Sequence, residues 1–242
     1  SKDPVAGITP ITDMLAVARR PDLDPEQNYG QTMELDAATT RGLGGLGTST
    51  LKPLATPLAV AGFSGAARQV LHETLAPMGI QILDSAAGSE QSGRQPPFVA
   101  GASLGVQMIR GDYSATAIGT LTWVDGDRFI GFGHPLWSLG AVNLPATGAY
   151  IHDVIANQIN SFKLGTATQT VGAVRQDRYS AIAGTVGAAP DMMPMAVVLR
   201  SPAANHDIHC EVLRHRDLSA PLVRSVLISS LQAFEKIWGD AT

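Results

Sequence analysis

The hydrophobic and polar positions alternate most clearly between residues 111 and 137. From 115 to 124 small, β-branched and aromatic residues dominate, the composition a strand prefers. Asp125-Gly126 follows, a pair that tolerates the positive φ of a tight hairpin turn. Residues 128–133 form an apolar return strand that ends in His134-Pro135. Proline has no N–H for a ladder and favours extended geometry in the residue before it, so His134 is expected at a strand end. Gly133 beside it keeps backbone bulk low.

Residues 5–11 read as a short strand. Thr12 is placed to cap a helix over 13–18, with Met14, Leu15 and Ala18 on one face. Residues 31–35 read as a strand, and 41–49 as a glycine-dense loop. That loop lacks the Lys-Ser/Thr ending of a phosphate-binding loop. Residues 57–61 predict a strand, 62–65 a turn, 66–75 a helix with Val70, Leu71 and Leu75 as its stripe, and 80–83 a strand. Residues 85–97 offer nothing apolar to bury and read as a flexible linker. They divide an N-terminal segment with an α/β insert (1–84) from a β-rich, histidine-bearing domain (98–242). In the latter, 104–109 is a strand and Arg110-Gly111-Asp112 a turn. The chain is expected to be irregular from His134 to Pro145. Strands follow at 147–155 (with a helix over 151–159 as the alternative), 168–175, 179–186 and 195–200, with Gln176-Asp177-Arg178 as the bend between two of them. A final helix is capped by Asp217 or Ser219, has Pro221 in its first turn and stops at Gly239. Leu222, Val226, Ser229 and Ala233 set one face of it, with Leu227, Leu231 and Phe234 beside them.

Composition narrows the field. The 242 residues are 45% hydrophobic and 16% charged, which excludes global disorder. A net charge of −4 without a basic run argues against a nucleic-acid partner. No apolar run is long enough to span a bilayer, and no signal peptide is present. The 25 glycines and 15 prolines favour a turn-rich, β-rich α+β fold. The single cysteine, Cys210, leaves no internal disulfide.

Candidate chemistry is sparse. Gly62-Phe63-Ser64-Gly65 imitates a hydrolase nucleophile elbow, but Ala66 stands where its last glycine belongs, so Ser64 reads as a helix cap. An α/β-hydrolase using Ser64 would also need a parallel sheet, against the late run of strands. His152 and Asp153 are adjacent, so a strand points them to opposite faces. His206, His209 and Cys210 match no standard zinc spacing. No metal and no cofactor is expected. His134 remains the best candidate for acid–base chemistry.

Gly111-Asp112, Ile118-Gly119-Thr120-Leu121-Thr122, the Asp-Gly-Asp turn and Phe132-Gly133-His134-Pro135 resemble the SpoIVB-type serine peptidases, named for stage IV sporulation protein B. Further matches are Ala6-Gly7-Ile8-Thr9-Pro10-Ile11, Ser161-Phe162-Lys163-Leu164-Gly165 and Gln176-Asp177-Arg178. The chain is more similar to the longer, non-sporulation bacterial members. The resemblance implies a chymotrypsin-like fold of the double β-barrel type, with a small inserted α/β part and a C-terminal helix. It implies His134 as catalytic base, a peptide or protein substrate and an extracytoplasmic bacterial location. Asp177 is the candidate orienter of His134 and Asp112 the alternate; the resemblance fixes neither. The family's Gly-Met-Ser-Gly-Ser-Pro nucleophile motif does not occur in this sequence. The chain is therefore expected to be a piece that needs an upstream, serine-bearing segment as partner, and whose barrel has an open edge without it. The alternative is a non-catalytic peptide-binding or structural module of a larger assembly.

Overall fold

The computed structural model describes residues 9–19, 33–34, 50–51, 56–85, 96–156, 161–202 and 205–238. The readings of 5–8, of the loop 41–49, of most of the linker 85–97 and of the stop at Gly239 lie outside these residues.

Helix α1 spans Ile11–Ala18. It starts two residues earlier than expected, with Pro10 and not Thr12 at its N-cap position and no side-chain cap. Eight residues are too few for a helix stable alone. Met14 and Val17 hold α1 by packing on Ile130, Ala181 and Ala183. The short strands β1 (Met33–Glu34) and β2 (Thr50–Leu51) pair only with each other among the described residues. Strand β3 (Thr56–Ala61) leads into α2 (Gly65–Leu75) and a 3₁₀ turn closed by Gly79 at φ 76°; β4 (Ile80–Asp84) returns parallel to β3.

The remaining strands are β5 (Ser103–Gly111), β6 (Ser114–Asp125), β7 (Arg128–Gly131), β8 (Gly140–Ile155), β9 (Phe162–Arg178), β10 (Ala181–Val186), β11 (Met192–Arg200) and β12 (Asn205–Leu213). Helix α3 (Ser219–Trp238) ends the described chain. The strands form one sheet in the order β11-β12-β5-β8-β9-β10-β7-β6-β3-β4, and β5 also pairs with β6. That extra pairing brings β5, β8, β9, β10, β7 and β6 round into a ring. The open barrel edge expected next to the chain start is thus not seen in this ring; the sheet ends on β4 and β11 instead. The fold is β-rich, as expected.

The segment 56–84 shares this sheet, because Ala59 of β3 stands opposite Thr116 of β6. It shares the core as well. Leu58 of β3 and Leu71 and Leu75 of α2 belong to one buried cluster with Leu104, Leu121, Phe129, Val174 and Ile182 of the ring strands.

Three further expectations fail for physical reasons. β8 begins at Gly140, where irregular chain was expected up to Pro145. Pro145 sits opposite Ala173, in a stretch where the β8–β9 register shifts between Ala141 and Leu144 and again after Ala146; proline inside a strand usually argues against one, and such irregular ladders accommodate it. Gln176-Asp177-Arg178 is no bend but the buried end of β9, and the turn is Tyr179-Ser180. On α3 the expected face holds at Leu222, Val226 and Ser229 but fails at Ala233, which is exposed, as are Leu227 and Leu231. Ser225 and Ser230 complete the buried stripe, with Ser229 and Ser230 turned toward Ser64 and Tyr113.

Candidate functional site

The hairpin of β6 and β7 carries His134 past the end of β7. The Phe132 N–H still donates to the Thr120 carbonyl of β6 at 2.9 Å. The Gly133 N–H then turns back to the Gly131 carbonyl, also 2.9 Å, closing a three-residue turn around Phe132. Phe132 and Gly133 have φ of 72° and 73°. For a side chain larger than glycine's this geometry costs about 1–2 kcal/mol, so something must hold Phe132 there. Gly119 supplies the room: a Cβ on it would come within 2.7 Å of the Phe132 ring. From the other side the Thr9 hydroxyl donates to the Gly133 carbonyl at 2.6 Å, and the Met14 methyl lies against Gly133.

His134 emerges from this turn exposed, with its ring edge-on to Phe132 at 5.5 Å between centroids. Its Nδ1 lies 2.7 Å from the Pro135 carbonyl oxygen. A carbonyl only accepts, so Nδ1 carries the hydrogen. In the neutral imidazole Nε2 then holds the lone pair.

Asp177 lies beneath the same loop, fully buried, at the end of β9 opposite Gly140 of β8 and Ile182 of β10. Its Oδ1 accepts from the Leu136 N–H at 2.7 Å; its Oδ2 accepts from Trp137 at 2.9 Å and Leu139 at 3.0 Å. The side chains of those three residues are buried, so the loop is anchored through both backbone and apolar packing. Ser138, between the last two, is again left-handed at φ 59°. Burial pushes the Asp177 carboxyl above its usual range, and the three N–H donors and His134 pull it back.

The expected pair, His134 and Asp177, is therefore brought to one loop, but the link is indirect. The Leu136 N–H and the Pro135 carbonyl belong to a single peptide unit, planar and trans. Asp177 grips its N–H end and His134 Nδ1–H bonds its oxygen end. Among the described residues no hydrogen bond joins the carboxylate to the imidazole. Asp112, the alternate orienter, is committed elsewhere: its carboxylate accepts from the His209 N–H at 2.7 Å, and its own N–H donates to the His209 carbonyl at 3.0 Å.

Ser64 is a cap. Its hydroxyl oxygen accepts from the Ala67 N–H at the start of α2 and donates to Gln232 of α3. His209 is exposed and Cys210 buried on opposite faces of β12. Burial pushes the Cys210 thiol up to about 11, which keeps it protonated. His152 bonds the Thr166 hydroxyl at 2.7 Å. No cluster of metal-ligating side chains occurs among the described residues. The sequence reading missed the amides of Leu136, Trp137 and Leu139 and the role of Gly119. The one local signal was the Pro-Leu-Trp-Ser-Leu run, too apolar for an exposed loop.

The chain matches no family model, no curated protein and no solved structure. Chemically, the site offers an exposed imidazole of fixed tautomer, held on a strained turn and backed by a buried carboxylate.

Proposed function

We propose that this chain is the histidine-bearing part of a SpoIVB-type serine endopeptidase, working outside the cytoplasm. The observation that carries the reading is the His134 hydrogen bond to the Pro135 carbonyl, which leaves Nε2 free to take a proton. A serine hydroxyl is a weak nucleophile until a base in hydrogen-bond reach removes its proton. In this reading Nε2 takes that proton as the serine oxygen attacks a peptide carbonyl, then returns it to the leaving amine. The imidazolium formed in between is stabilised by the Pro135 carbonyl and, one peptide further, by the charge of Asp177. The six-stranded ring would be one barrel of a chymotrypsin-like pair. The serine comes from a segment outside this sequence.

A non-catalytic module that adds a strand from a peptide partner is the second reading. It is favoured by the sheet edges β4 and β11, which pair on one side only among the described residues.

Hydrolysis of a general peptide substrate by the chain, and by the chain mixed with a serine-bearing upstream segment, tests the first reading. Turnover only in the mixture is the expected result. Turnover by the chain alone, or a mixture that associates and stays inert, counts against it.

A further inference from the structure

A second feature lies on the outer side of β7, β9 and β10, beyond the last turn of α1. In the ladder of β9 and β10, Ala183 stands opposite Gln176 and Gly184 opposite Val174. Arg175 has no partner there: it is the extra residue of a β-bulge, a device that re-aims a side chain. On β7, Arg128 stands opposite Thr185 of β10. Both arginines line one depression of about 350 Å³, together with Thr185 and the small residues Ala18, Ala183 and Gly184.

The charges there are unbalanced. Arg68, Arg110, Arg200, Arg214 and Arg216 each meet a carboxylate. Among the described residues neither Arg128 nor Arg175 has an ion-pair partner. Asp125 stands opposite Arg128 across the hairpin without forming an ion pair with it, and no carboxylate lines the hollow. Two guanidinium groups lining it repel each other, and an anion between them removes that repulsion. The planar fork of arginine suits the paired oxygens of a carboxylate or a phosphate. The volume is at the small end for ligand sites, so the occupant is compact.

We infer that Arg128 and Arg175, with the Thr185 hydroxyl, form a binding site for a compact oxyanion, separate from the His134 turn. The inference stands whether or not the chain serves a peptidase.

The test is an amide-resolved NMR titration of the chain at constant ionic strength in chloride. One arm adds inorganic phosphate, the other an N-acetyl, C-amide tripeptide with a central aspartate. Saturable shifts centred on Gly184 and Thr185 are expected, and the tighter arm names the source of the oxyanion. Arg128→Gln and Arg175→Gln should each weaken binding about tenfold or more, as loss of a charged hydrogen bond does. Arg200→Gln, whose native partner is Asp207, should titrate like the parent. Unshifted spectra in the rest of each variant show that it is folded. No saturable shift in either arm, or equal titration by all three variants, overturns the inference.

Discussion

Replacing Asp177 with asparagine probes the anchor of the His134 loop with almost no change in shape. The carboxylate accepts three backbone N–H bonds, one on Oδ1 and two on Oδ2. An asparagine keeps most by placing its carbonyl oxygen at the Oδ2 position, under Trp137 and Leu139. Its NH₂ group then faces the Leu136 N–H, donor against donor, at a spacing that is 2.7 Å in the native pair. A buried N–H without an acceptor costs about 1–3 kcal/mol, and the two surviving bonds lose their charge assistance. Removing a buried charge returns part of that, so a net loss of about 2 kcal/mol is expected. At 242 residues this corresponds to a Tm lower by about 4–8 °C. Denaturant unfolding measures the stability. The ¹⁵N shifts of the His134 ring report its tautomer, which a merely structural carboxylate would leave alone. The native chain should show the Nδ1–H form, and Asp177→Asn a mixture, because the Pro135–Leu136 peptide is no longer fixed. Unchanged stability together with an unchanged tautomer would refute the peptide link between Asp177 and His134.

Gly119→Ala should cost about 1–3 kcal/mol by overpacking, measured by denaturant unfolding, since the new methyl meets the Phe132 ring. If the proposed peptidase is reconstituted, the substitution should also lower its activity by displacing the turn that carries His134. Ser64→Ala should cost about 1 kcal/mol, as cap removals do, and leave that activity unchanged. His215 makes stability fall on the acid side. Burial lowers its folded pKa, the Arg216 charge acting the same way and Asp217 opposing, and its Nδ1 accepts from the Asp217 N–H at 3.2 Å. Its contribution is therefore present above the unfolded value of about 6.5 and lost as pH falls through the lower folded value. Unfolding curves across that range should fall less steeply for His215→Asn than for the parent.

The β6–β7 hairpin was legible because its signal is local, but its two-residue turn is Gly126-Asp127, one residue later than the expected pair: Asp125 ends β6 opposite Arg128, and Gly126 takes the positive φ, 58°. The α2 boundary was legible for the same reason, through Ser64 and Gly79. Asp177 was misplaced in a bend because a polar triplet with two charges looks solvent-exposed when its partners are 38 to 41 residues away in the chain. The early start of β8 was hidden by Pro145, whose tolerance depends on register shifts that composition does not reveal. His134 itself could be placed at a strand end. What holds it there, the left-handed Phe132 and the Pro135 carbonyl on Nδ1, is backbone geometry that no residue type announces.

The most direct measurement is covalent labelling by a fluorophosphonate, which reacts only with an activated serine. The serine-bearing upstream segment is mixed with this chain or with its His134→Ala variant, after size-exclusion chromatography has shown that both assemble. The account predicts rapid labelling with the parent chain and a rate lower by several orders of magnitude with the variant. Equal labelling rates in the two mixtures would contradict it.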